Sequence, residues 1–310
     1  MRVLVTGGAG FIGSHSVGRL LSAGHEVLVV DDLSTGNEEN LAAVQGAIRF
    51  ERLDIRDGAR LRQLFTAWKP EAVLHLAAVA SISRSLAAPL ETASVNLDGS
   101  LQILEAARTA GVRRLVFASS ASVYGSTPRL PSTETDRPEP ASPYAAQKLA
   151  VESHLAAYQG AYGIQATALR YFNVYGPRQL PQSDYSGVIT ILANALRRHE
   201  VFQVYGDGHQ TRDYIAVSDV AEINGRAVEG LATDESLLNA GSGRSTSLLE
   251  LIQACASIME TEPLLQFLPP RPGDVRYSQA DIGRLCRASP AFHPRPLPEG
   301  LAALLADCGA

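Results

Sequence analysis

Through the first 170 residues, short runs of apolar and β-branched residues alternate with longer stretches in which apolar positions recur at helical spacing. The short runs predict strands over 3–6, 27–30, 72–76, 115–118 and 166–169. Helices are expected between them at 11–23, 60–68, 89–110 and 143–162, with Gly24, Gly111 and Gly163 placed to end three of them. Strands alternating with helices imply a parallel sheet wrapped on both faces, and the handedness rule for its crossovers leaves few topologies.

From Asn173 onward the regularity weakens, and prolines and glycines gather at 176–177, 269–270 and 271–274. This part reads as a smaller, loop-rich lobe that still holds helices, one opened by a capping box at Ser247 and Glu250 and a last one at 298–305. The expected division is a first domain over 1–172, which also receives 212–241, and a smaller lobe over 173–310 interleaved with it. The stretch 126–142, rich in Pro, Ser and Thr, is expected to be a loop between a strand and the helix that starts at 143.

At 310 residues and 45% hydrophobic content the chain can bury a full core. Its net charge of −5 and scattered arginines provide no basic stripe along a phosphate backbone, so nucleic acid is not an expected partner. Cys255, Cys286 and Cys308 are odd in number and widely spaced, which argues against a disulfide framework or a zinc site and suits a reducing cytoplasm. No metal is expected. The apolar run at the start stops at Thr6-Gly7-Gly8, and no run approaches the ~18 apolar residues of a membrane span, so neither export nor a membrane is expected.

Two local patterns carry candidate chemistry. The first strand runs into Gly7-Gly8-Ala9-Gly10-Phe11-Ile12-Gly13, whose glycines at 7, 10 and 13 allow a tight turn, close approach of a pyrophosphate to Phe11 and Ile12 at a helix start, and helix–sheet packing. Asp31, followed by Asp32, ends the second strand, where a carboxylate accepts from an adenosine ribose and repels a 2′-phosphate; NAD is favoured over NADP. The second pattern is Tyr144 and Lys148, the latter one of only two lysines in a chain with twenty-five arginines. At i and i+4 the two share a helix face. Bringing a phenol from pH ~10 to about 7 takes roughly 4 kcal/mol of preference for the phenolate, much of which a nearby ammonium can supply. With ten tyrosines the spacing alone is also compatible with a chance surface pair.

With the glycine turn, Ser119-Ser120-Ala121-Ser122-Val123-Tyr124-Gly125 and Tyr144/Lys148 in hand, the chain resembles the extended short-chain dehydrogenase/reductase family. It is most similar there to nucleotide-sugar epimerases of the UDP-galactose 4-epimerase kind. Further motifs follow in the family's order: 96–99, 169–178, Arg212-Asp213-Tyr214-Ile215 and Arg271-Pro272-Gly273-Asp274. The implied fold is a Rossmann-type, doubly wound parallel α/β sheet with a smaller α/β substrate-binding lobe. Ser120, Tyr144 and Lys148 become the catalytic triad. The resemblance places Asp54 and Ile55 beside the adenine, Leu76, Ala77 and Ala78 along the nicotinamide, and Asn96 and Tyr171 at the cofactor. It gives Asn173, Arg212 and Arg271 to a substrate diphosphate, Asp274 to a ribose and Tyr205 to the base, with Ser122, Gly187, Val188 and Gln203 completing the substrate set. Ala80 departs from relatives that carry a cofactor-contacting lysine there, which bears on how tightly NAD is held.

The implied reaction is 4-epimerisation of a UDP-hexose through transient oxidation at C4. Related 4,6-dehydratases carry an Asp-Glu pair after the active-site hydroxyl; here Ala121 and Ser122 follow, which favours epimerisation over the alternative of dehydration. A non-catalytic NAD sensor is a third reading, against which the intact Tyr144/Lys148 pair stands. Ser278 aligns with the position that walls the sugar's C2 substituent, and its small size favours UDP-GlcNAc/UDP-GalNAc, with UDP-Glc/UDP-Gal also accommodated. Relatives pair as homodimers through the helices at 89–110 and 143–162, so a homodimer is the implied assembly.

Overall fold

The opening apolar run forms β1 (Arg2–Thr6), and α1 (Phe11–Ser22) returns the chain to β2 (Glu26–Asp31). A computed structural model describes residues 1–126, 129–179, 187–270 and 275–307. After a 3₁₀ segment, Glu38–Ala47, come β3 (Ile48–Arg52), α2 (Gly58–Trp68), β4 (Ala72–His75), α3 (Ile82–Ala87), α4 (Pro89–Ala93), a π-helical segment Ser94–Gly99, α5 (Ser100–Thr109), β5 (Arg114–Ser120), a 3₁₀ turn Ala121–Tyr124, α6 (Pro143–Tyr162) and β6 (Gln165–Tyr171). The chain continues through β7 (Asn173–Tyr175), α7 (Val188–Arg198), β8 (Val201–Tyr205), β9 (Thr211–Arg212), β10 (Tyr214–Ala216), α8 (Val217–Glu229), β11 (Leu237–Ala240), β12 (Thr246–Ser247), α9 (Leu248–Ile258), β13 (Leu264–Leu268), α10 (Gly283–Ala288) and α11 (Leu297–Asp307).

Among the described residues, seven strands make one parallel sheet in the order β11-β6-β5-β4-β1-β2-β3. The order reverses between β1 and β4, so the crevice beyond their carboxyl ends is where such a sheet takes its ligand. Side chains alternate along each strand: Val3, Val5, Val27, Val29 and Leu74 enter one buried core, and Leu4, Leu28, Val30 and Val73 enter the other. Both faces are therefore covered, the first by α1 and α8 and the second by α2, α5 and α6.

Local chemistry explains the ends of these elements. The Asp57 side chain accepts from Arg60 N–H at the start of α2, Ser142 does the same for Ala145 before α6, and Pro143 occupies the first turn of α6. Gly24, Gly111 and Gly163 adopt φ of +78°, +70° and +71°, the left-handed stop that a side chain disfavours. The stretch expected as one helix over 89–110 is instead α4, the π-helical segment and α5 in succession, because the extra residue of the π turn brings Asn96 inward. Strands β3 and β11 were not expected. The first is a half-exposed edge with charged Arg49, Glu51 and Arg52, and the second is short and carries the buried polar Asn239.

The second lobe has its own core, in which Leu192 and Leu196 of α7, Phe202 and Val204 of β8, Leu251 and Ile252 of α9, and Leu301 and Leu304 of α11 meet. Its capping box is present: Ser247 and Glu250 exchange side-chain and backbone hydrogen bonds at the start of α9. Residues 283–292 depart from the expected division, since Leu285, Ala288 and Phe292 return to the core of the large sheet. The buried Asp213 carboxylate joins the two parts by accepting the N–H groups of Ser242, Gly243 and Ala280 and the Ser242 hydroxyl. No helix among the described residues is long and apolar enough to cross a membrane.

Candidate active site

At the carboxyl ends of β1 and β4 lies a cavity of about 520 Å³, reaching from Asp31, Asp32, Asp54 and Ile55 past Gly7, Gly10 and Leu76 to Ser120, Tyr144, Asn173 and Gly187. Its floor is the glycine turn. Gly7 has φ +68°, and a Cβ there would sit 2.8 Å from Ala77 N; one on Gly13 would overlap the Gly7 carbonyl oxygen and lie 2.7 Å from Gly8 Cα. Gly10 precedes α1 with extended backbone and no side-chain cap, so the first amides of the helix, at Phe11 and Ile12 in the cavity wall, are left to a ligand. Asp31 is held by Ala9 N–H and Leu33 N–H, each at 2.9 Å, and burial still lifts its carboxyl above the ordinary range. A backbone cradle that excludes Cβ atoms, an uncapped helix start and an acidic far end fit a dinucleotide such as NAD.

One wall is fixed by a chain of hydrogen bonds. The Thr6 hydroxyl accepts from Leu76 and Ala77 N–H and lies 2.7 Å from His75 Nδ1; His75 Nε2 lies 2.9 Å from Ser100 Oγ, which donates to Asn96 O. These directions require His75 neutral with its proton on Nε2. Asn96, expected at the cofactor, does not line the cavity: its amide is spent on Val79 N–H and C=O and on Gln147 Oε1, so it holds the wall instead. Burial, with Lys148 as a lesser influence, pushes His75 down to about 3. Because the folded value lies below the unfolded one, the unfolded chain binds more protons between them and stability falls as pH drops from 6.5 toward 3. Urea unfolding across that window should show this loss, and His75→Asn should flatten the slope.

Ser120 ends β5, and Tyr144 and Lys148 stand in the first two turns of α6, all three at the cavity. Lys148 Nζ donates to Ala118 O at 2.7 Å and lies 4.7 Å from the Phe117 ring centroid and 5.8 Å from that of Tyr144. The expected lowering of the phenol by the ammonium does not appear: burial pushes Tyr144 up to about 12, opposed by the Ser120 hydroxyl, and pushes Lys148 down to about 7, opposed by Glu152. Desolvation of both charged forms is the dominant influence on the pair.

The other expected residues divide clearly. Asp32, Ala78, Tyr171, Asn173 and Gly187 line the cavity. Ser122, Val188, Gln203, Tyr205, Arg212 and Ser278 do not: Val188 opens α7, Gln203 and Tyr205 lie on β8, and β9 carries Arg212 and bonds through Thr211 N–H to Arg276 O near Ser278. Arg271 and Asp274 fall outside the described residues. Sequence reasoning missed Asn40, which donates to Ala9 O behind the glycine turn, and Arg178, a cavity residue at φ +67°. Only the latter's place after the Gly176-Pro177 turn hints at it. It also missed Glu152, one turn beyond Lys148 on the same helical face.

Comparison with known proteins agrees with this geometry. The family model described as NAD dependent epimerase/dehydratase matches residues 3–241. The UDP-glucose 4-epimerase of Mycolicibacterium smegmatis is 44% identical over 306 residues, covering 97% of this chain and 96% of that protein. A UDP-N-acetylglucosamine 4-epimerase from Methanobrevibacter ruminantium, solved with UDP-N-acetylmuramic acid, superposes with a TM-score of 0.93 at 36% identity over 99% of this chain and 97% of its own. The Thermus thermophilus UDP-glucose 4-epimerase in complex with NAD gives 0.90 at 40% identity, covering 99% and 98%. A cradle for a dinucleotide, a hydroxyl-phenol-ammonium set at its other end and these likenesses along the whole chain have one meaning: the protein belongs to the NAD dependent epimerase/dehydratase family.

Proposed function

We propose that the protein is an NAD-dependent 4-epimerase of UDP-hexoses, acting on UDP-GlcNAc/UDP-GalNAc and also on UDP-Glc/UDP-Gal. The observation that carries this reading is the continuity of the cavity, which joins the cradle at Gly7–Gly13 and Asp31 to Ser120, Tyr144 and Asn173 without interruption. Gly7, Gly10, Phe11, Ile12 and Gly13 hold the pyrophosphate, Asp31 the adenosine ribose, and Lys148 the ribose of the nicotinamide. NAD, when bound, supplies a positively charged hydride acceptor that returns what it takes.

Tyr144, as phenolate, removes the proton of the sugar's 4-hydroxyl, and Ser120 donates a hydrogen bond to the same oxygen. Lys148 stabilises the phenolate. The 4-keto sugar then presents its other face, regains hydride at C4, and takes the proton back from Tyr144. Dehydration would need a further acid or base, and the carboxylates among the described cavity residues are all engaged: Asp31 by backbone, Asp32 by Ser34, Asp54 by Arg56 and Glu91 by Arg84. Asn173, with Arg212 and Arg271, takes the substrate diphosphate, and Tyr205 lies against the base. The exposed Leu86 and Leu90, on and beside the helices that relatives pair, support a homodimer.

Incubation with UDP-GlcNAc, followed by proton NMR of the anomeric signals, tests the reading; UDP-GalNAc is the expected product, and an unsaturated or keto sugar would move the protein to the dehydratases. Ser278→Tyr should reduce kcat/KM on the N-acetyl sugar by at least about a hundredfold, the scale of a steric exclusion in a sugar pocket, and spare UDP-Glc. Equal loss on both substrates would deny Ser278, which stands outside the cavity wall, any part in the choice of sugar.

A further inference from the structure

One stripe of α6 carries more chemistry than the proposed mechanism uses. Tyr144, Lys148 and Glu152 stand four residues apart and share one face of the helix. That face packs on β5 and β6, where Ser119 and Arg170 are register partners on adjacent strands. Glu152 reaches both. Its Oε1 accepts from the Ser119 hydroxyl, and its carboxylate takes Arg170 in a fork, Nε at 3.0 Å and Nη2 at 2.7 Å. The Arg170 side chain is 2% exposed and that of Glu152 8%. The guanidinium also lies 4.6 Å from the Tyr124 ring centroid, and Tyr124 donates to Asn239 Oδ1 at 2.6 Å.

A dry ion pair is a poor source of stability, because desolving both charges offsets most of their attraction. Its position is more telling. It stands one turn behind Lys148, and Ser119 is the residue before Ser120. We propose that Glu152 is a positioning residue, which neutralises Arg170 and fixes Ser119 so that Lys148 keeps its proton and Ser120 its place. The proposal rests on the roles given above to Tyr144 and Lys148.

The surroundings of Lys148 support this. From β4 it is faced by neutral His75, from β5 by the Ala118 carbonyl and the Phe117 ring, and from its own helix by the neutral Tyr144 phenol and the Glu152 carboxylate, which in turn holds the cationic Arg170 of β6. Burial draws the lysine toward neutrality, and Glu152 is the group that opposes it. Without that carboxylate, Arg170 becomes an uncompensated cation behind the site, and both Tyr144 and Lys148 lose protons at lower pH. Without Arg170 the sign reverses.

The test uses NAD-loaded protein and two readouts, the pH dependence of kcat and the titration of the Tyr144 phenol by tyrosinate difference absorbance against Tyr144→Phe. Glu152→Gln, nearly isosteric, should shift both to lower pH by roughly one unit and lower kcat at neutral pH about tenfold, with little change in KM. Arg170→Met should shift them to higher pH, Arg170→Lys should leave them in place, and the double variant Glu152→Gln/Arg170→Met should restore them. If Glu152→Gln weakens folding but leaves both pH midpoints unmoved, or if Arg170→Lys shifts them as far as Glu152→Gln, the pair is only a brace and the proposal is overturned. Should Arg170→Met not fold, Glu152→Gln and Arg170→Lys decide between these. A phenol titration that shifts as expected in a protein with no turnover of nucleotide sugars upholds this inference while refuting the proposed epimerase.

Discussion

Replacing Tyr144 with phenylalanine is expected to lower kcat by about a thousandfold or more, since in the proposed mechanism the 4-hydroxyl then has no base positioned to take its proton. The fold should be spared. Tyr144 is 9% exposed, its ring lies within reach of Lys148, and phenylalanine keeps that ring and loses only the hydroxyl beside Ser120. A thermal melt within a few degrees of the parent, together with lost turnover, is the expected combination. Retention of more than about a tenth of kcat would mean that another group is the base.

Gly13→Ala acts at the opposite end of the cavity and through a different cause. The added methyl would overlap the Gly7 carbonyl oxygen and press to 2.7 Å on Gly8 Cα, both backbone atoms that cannot rotate aside. Either α1 moves off the turn or the turn opens, and in both cases the amides at Phe11 and Ile12 lose the placement that the proposed pyrophosphate site needs. Overpacking of this kind costs about 1–3 kcal/mol of stability. The affinity for NAD should fall by at least about a hundredfold, a loss of roughly 2.7 kcal/mol, measurable by calorimetry without any substrate. Unchanged NAD affinity would remove the glycine turn from the cofactor site.

Much of the large sheet was legible because its strands are buried on both faces and read as continuous apolar runs, while Gly24, Gly111 and Gly163 stop helices for a reason carried by one residue each. The edges were not. β3 alternates apolar with charged residues, and β11 includes an Asn239 whose burial depends on Tyr124, Glu134 and Ser132, all distant in sequence. The π turn at 94–99 was hidden for a similar reason, since it exists to bring Asn96 onto Val79 and Gln147.

Around the cavity, the placing of several side chains was readable and their environments were not. Spacing alone placed Tyr144 and Lys148 on one face of a helix. It could not show that burial holds the phenol up at about 12 and the lysine down at about 7, because both shifts come from elements distant in sequence, β5 and β6 among them, that pack on the helix. Asn96 illustrates the same limit: an asparagine in a family motif was expected at the cofactor, whereas its donors and acceptor are consumed in the wall. Glu152 went unnoticed because a glutamate on an amphipathic helix ordinarily faces water; only the register of Ser119 with Arg170 reveals its partners.

The fate of deuterium placed at C4 of UDP-GlcNAc bears most directly on transient C4 oxidation with hydride return. With the purified protein, the label should remain at C4 of the UDP-GalNAc formed, read by NMR as a missing H4 signal in the product. Label lost to solvent, or carried to C6 of a keto sugar, would contradict 4-epimerisation at this site.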